Sequence, residues 1–178
     1  MNRLLILIAA ALVTGCVTPP QTVQDFREGV RNGAAVTQMQ QGEVKRPFVE
    51  TFKAVWENAT KCLNVTVTDT TPGSYGSVTE SVRYRSNTKL TGKKTAEMVL
   101  QQDAQATGKM PEGGYYVMLA DIEGVSPNKT NVTIYGSSVG YDNVYQSILA
   151  WARGETNKCP KFPMGGAGKS FTYHKGGS

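Results

Sequence analysis

Histidine is almost missing from this chain of 178 residues: His174, close to the C-terminus, is the single one. Triad-type hydrolysis needs a histidine base or a substitute for it, and no motif marks a serine–lysine alternative. Cysteine is scarce as well, with Cys16, Cys62 and Cys159 alone. A two-cysteine metal site would lack donors, since tetrahedral zinc takes four N or S ligands and His174 stands apart in a glycine-rich stretch. No metal or cofactor is therefore expected. Runs of like charge are absent too. The 19 lysines and arginines are scattered among 14 acids for a net charge of +5, which reads as a solvated surface and not as a nucleic-acid footprint. At most it allows a modest attraction to anionic head groups. Nor does any apolar run reach the ~20 residues of a spanning helix; Leu4 to Leu12 is roughly half of that.

What is present begins at the N-terminus. Arg3 gives a positive start, Leu4 to Leu12 an apolar middle and Val13-Thr14-Gly15-Cys16 a small-residue close. That order describes an export signal over residues 1–15, removed from the mature chain. The last four residues resemble the lipobox of bacterial lipoproteins, in which the cysteine becomes the lipidated first residue. The resemblance implies lipidation of Cys16 and a bacterial envelope location. Val17, where an aspartate would retain the protein in the inner membrane, implies the outer membrane with the body facing the periplasm. Losing Arg3 leaves the mature side chains at +4. With Cys16 consumed, Cys62 and Cys159 form an even pair, and an oxidising compartment makes a disulfide between them the expectation. Such a bond closes a loop of about 100 residues, which the chain-entropy model values at roughly 4–5 kcal/mol.

Residues 16–33 read as a lipidated tether with a short helix. Pro19 and Pro20 extend it, and Val23, Phe26 and Val30 share one helical face behind Thr22 as N-cap. Residues 34–160 read as a single α+β domain. Ala34 to Arg46 forms an irregular first strand. Pro47 to Cys62 is the clearest helix, with Phe48, Phe52, Val55, Trp56, Ala59 and Cys62 in one apolar stripe. Strands follow at Leu63–Thr68, Val78–Arg85, Ala96–Leu100, Tyr115–Ile122 and around Val132 and Ile134. Turns separate them at Thr71–Ser74, Gly108–Gly114 and Ser126–Asn128, with a loop at Asn87–Gly92. Asp142 is placed to cap a final helix that carries Tyr145, Ile148 and Trp151 toward the core and stops at Gly154. Residues 161–178 read as a Gly-rich flexible tail.

Strands joined by short turns favour an antiparallel meander. The expectation is a mainly antiparallel sheet of four to six strands with two principal helices on one face. That layout is similar to helix-grip envelope lipoproteins such as the C subunit of the barrel-assembly machine, and the similarity, being one of layout alone, transfers no site. Gly165–Ser170 resembles the end of a phosphate-binding loop, but Pro163 stands where the first glycine belongs, so no nucleotide is expected. Asp121 and Glu123 fall on one face of a strand as possible paired carboxylates, though water-facing residues at a strand mouth fit them better. Seven tyrosines between Tyr75 and Tyr145 read mostly as core, a few as lining for a partner groove. These features favour a non-catalytic accessory or scaffold, attached to the membrane through lipid and binding another envelope protein. A carrier or sensor of a small apolar or glycan ligand is the alternative, and an envelope hydrolase a weaker one.

Overall fold

The computed structural model describes residues 18–73, 76–103, 110–155, 159–162 and 170–175. Residues 1–17, Cys16 among them, and the whole Gly-Gly-Ala-Gly-Lys segment at 165–169 lie outside these. Three helices and seven strands follow one another as α1 (Val23–Arg31), β1 (Thr37–Val44), α2 (Phe48–Cys62), β2 (Val65–Gly73), β3 (Gly76–Gly92), β4 (Thr95–Asp103), β5 (Tyr115–Ser126), β6 (Lys129–Ser137), α3 (Asp142–Arg153) and β7 (Ser170–Lys175). The class is α+β, as the alternating runs and short turns require.

All pairings are antiparallel, in the spatial order β1-β6-β5-β4-β3-β2-β7. The five strands β2 to β6 form the meander. Each edge is then closed by a strand that arrives after or before a helix: β1 precedes α2, and β7 follows α3. Both long helices thus lead from one side of the sheet to the other. They pack together and bury one face, where Met98 and Leu100 of β4, Met118, Ala120 and Ile122 of β5, and Val132 and Ile134 of β6 meet Val55, Ala59, Ile148 and Trp151. The alternation places the intervening residues on the opposite face. There α1 covers Val99, Leu119 and Tyr135 with Phe26 and Val30. β5 is consequently apolar on both sides in its middle, the property that marks Tyr115–Ile122 as central.

Several boundaries differ from the sequence reading, each for a physical reason. Asn87–Gly92 is not a loop but the second half of β3, pairing with β4 through Leu90. Its polar composition reflects an edge: β2 reaches only to Tyr84, so the far side of β3 beyond it meets solvent. Residues 170–175 of the expected tail form β7 on β2, consistent with the alternating Phe171, Tyr173 and Thr172, His174, and they raise the sheet to seven strands. α1 is not part of a free tether, because it is docked on the sheet. Asp142 is the first helical residue of α3 and not its cap; Tyr141 takes that place with no side-chain cap bond. An acid in the first turn still complements the helix dipole. Gly154 stops α3 in the left-handed conformation at φ 87°, as a C-terminal glycine should.

Candidate functional site

α1 alone is too short to persist in water, so its position is set by what it touches. Thr22 and Asp25 form a reciprocal capping box, each side chain accepting from the other's backbone N–H at 3.1 Å. One turn on, Arg27 reaches down to the sheet. Its Nε and Nη2 donate to both oxygens of Asp121 on β5 at 3.0 and 2.9 Å, and Nη2 also donates to Glu97 Oε2 on β4 at 2.8 Å. Glu97 and Asp121 are directly opposed across the two strands; Arg27 bridges the pair, and Lys89 at 3.5 Å from Glu97 supplies the second positive charge. The Arg27 side chain is 15% exposed and that of Glu97 10%. Hydrogen bonding to Asp121 chiefly, then to Glu97, holds the arginine pKa above its ordinary value against the opposing effect of burial. Arg31 completes the clasp, donating to Tyr135 Oη at 2.7 Å and lying 5.2 Å from its ring centroid.

A groove of about 510 Å³ opens beside the N-terminus of α1. Gln21, Thr22 and Val23 form one wall, Lys89, Val99 and Gln101 the floor, and Glu112 and Tyr116 the other wall. Burial raises the Tyr116 pKa, with Glu97, Asp25 and Glu112 adding to the shift. Of the expected tyrosine set, Tyr116 lines this groove, and Tyr75 lies outside the described residues. Tyr84, Tyr135, Tyr141 and Tyr145 are buried, and Tyr141 joins Tyr84 Oη and Gln102 Oε1 in an internal hydrogen-bond chain at 3.2 and 3.1 Å.

A second surface lies on the other side of the sheet. Phe48, Phe52 and Trp56 stack along α2 with ring centroids 6.1 and 6.4 Å apart and nearly parallel planes. A step of four residues advances about 40° beyond a full turn, so the ladder winds from the core into solvent. Phe48 is buried and Trp56 is 47% exposed, and Val49, two turns before Trp56, is 70% exposed. Trp56 therefore leaves the apolar stripe to which its spacing assigns it, while Val55, Ala59 and Cys62 stay inside.

Cys62, at the end of α2, and Cys159, after α3, lie at disulfide distance with Cα atoms 5.0 Å apart. Asp121 and Glu123 do share a face, but they do not act together. Asp121 is held by Arg27, and Glu123 is exposed within β5, three residues before the strand ends at Ser126, so neither sits at a strand mouth. Glu97 went unread in the sequence because its partners lie 70 and 24 residues away and β4 otherwise reads as apolar. Among the described residues no group of three or more histidine, cysteine, aspartate or glutamate side chains is placed to hold a metal ion. Among them, too, no helix is long and apolar enough to cross a membrane. Of the phosphate-loop likeness only Ser170 is described, as the first residue of β7. Neither a scan against protein-family models nor a search of curated proteins returns a match to this chain.

Proposed function

We propose that the mature chain is a bacterial lipoprotein, acylated at Cys16, sorted to the outer membrane with its body in the periplasm, and acting as a non-catalytic scaffold for another envelope protein. The observation that carries the partner reading is the α2 ladder. A stacked, half-exposed Trp56 offers an aromatic anchor on a rigid helix, with exposed Val49 two turns earlier on the same side; aromatic anchors of this kind concentrate binding energy in protein interfaces. Beneath it the body is filled by Trp151, Tyr145, Met98, Leu100 and Met118, all nearly or fully buried. That filled interior favours a protein partner over an apolar ligand held between helices and sheet.

The test is crosslinking in cells with a photoreactive aromatic residue in place of Trp56, against the same residue in place of exposed Glu43 on β1. A discrete protein adduct from position 56 and none from position 43 is the expected result. Adducts of equal yield from both positions, or a small apolar or glycan molecule copurifying with the body, would overturn the reading.

A further inference from the structure

The distance between the anchor and the fold is bounded by covalent geometry. Val17 alone separates Cys16 from Thr18, the first described residue. Two trans peptide units of 3.80 Å keep their Cα atoms within about 7.6 Å. From Pro19 onward the chain already belongs to the body. Pro19, Pro20 and Gln21 are half-buried, Gln21 Nε2 donates to Pro19 O at 2.8 Å, and the capping box at Thr22 and Asp25 leads directly into the docked α1.

We infer that the α1 side of the sheet rests on the bilayer surface, with the groove of Gln21, Glu112 and Tyr116 at the head groups and the α2 ladder turned away from the membrane. This rests on the lipoprotein reading above, because acyl chains at Cys16 place that residue at the head-group level. A lead of about 7.6 Å is shorter than one packed layer of secondary structure, roughly 10 Å. It leaves no room for the body to swing its opposite face inward. That face lies beyond both the sheet and α2, so Val49, Lys53 and Trp56 point into the periplasm where a partner can reach them. Charge does not drive this placement. On the α1 side Arg27 is matched by Asp121 and Glu97, Arg85 by Asp103 at 3.0 Å, and Lys89 by Glu97 at 3.5 Å, while Asp25, Glu28 and Glu112 offset Arg31 and Arg83. Apposition is thus set by tether length and is insensitive to salt.

The experiment uses the full lipidated protein in vesicles of phosphatidylethanolamine and phosphatidylglycerol that carry a head-group nitroxide. An environment-sensitive fluorophore is attached at Glu112→Cys or, separately, at Lys53→Cys, two exposed positions on opposite sides. Nitroxide should quench the fluorophore at position 112 at least twofold more than at position 53, in low and high salt alike. Twenty Gly/Ser residues inserted between Thr18 and Pro19 should abolish the difference while the protein still floats with vesicles. Equal quenching, or stronger quenching at position 53, on protein that floats with the vesicles overturns the orientation and leaves the anchor standing. Protein that fails to float overturns both.

Discussion

Arg27 grips Asp121 with two parallel hydrogen bonds across 94 residues of sequence, Nε to Oδ2 at 3.0 Å and Nη2 to Oδ1 at 2.9 Å. The fork geometry fixes both the register and the angle of α1 on the sheet. It also explains how two opposed carboxylates, Glu97 and Asp121, are tolerated under a helix. Removing the cation strands them, so Arg27→Ala should cost about 3 kcal/mol, at the lower end for a broken buried pair because Lys89 still faces Glu97. Urea unfolding checks this. Arg27→Met combined with Glu97→Leu and Asp121→Leu should regain most of the loss, since apolar replacement of a whole buried ion cluster is often neutral.

Thr51 presents the opposite case. It is fully buried on α2, and its hydroxyl has no hydrogen-bond partner among the described residues. A buried polar group without a partner carries its desolvation cost with no return. Thr51→Val keeps the shape and should leave stability unchanged or raise it by about 1 kcal/mol, read as a higher denaturation midpoint at unchanged m-value.

High pH should unfold the protein through its tyrosines. Burial raises the pKa of Tyr141 and of Tyr145 well above the ordinary 10.0; Tyr84 adds to the first and Asp142 to the second, while a hydrogen bond to Gln38 opposes the second. A raised native pKa means that the native state holds its proton where the unfolded state has released it. Stability is then fully present below pH 10.0 and falls as pH rises above it. Melting temperature followed from pH 8 to 12 should be flat at first and then decline. The decline should be shallower in Tyr141→Phe than in the wild type.

Reduction should be costly. Cys62 and Cys159 are 97 residues apart in sequence, and a crosslink over that span restricts the unfolded chain by about 4 kcal/mol. Cys62→Ser with Cys159→Ser should lower stability by about that amount and leave the oxidised-state circular dichroism spectrum unchanged at low temperature.

The parts of the fold that the sequence made legible are those whose burial, on one face or on both, shows directly in local spacing. The α2 stripe, the alternation in β2 and the run in β5 each write their surroundings into local spacing. Elements at the margins did not. β1 carries Met39 and Gln41 toward solvent, so its alternation is faint, and Val36, assigned to that strand, instead sits before it at φ 55° with its side chain exposed. The second half of β3 reads as loop for the same reason. α1 was legible as a helix through Val23, Phe26 and Val30, yet its docking was not, because nothing near Arg27 in sequence announces Glu97 or Asp121. That Cys62 and Cys159 come within disulfide distance was legible as the pair left over when Cys16 is assigned to lipid on the lipobox resemblance. The α2 ladder was hidden inside its own pattern: a four-residue step looks apolar throughout, and only the helical pitch shows that it surfaces at Trp56.

Metabolic labelling with an alkyne fatty acid tests the central claim most directly. The wild-type chain should take up label and float with membranes, and Cys16→Ser should do neither while its body stays folded. An unlabelled wild type, or label that survives Cys16→Ser, would contradict the account.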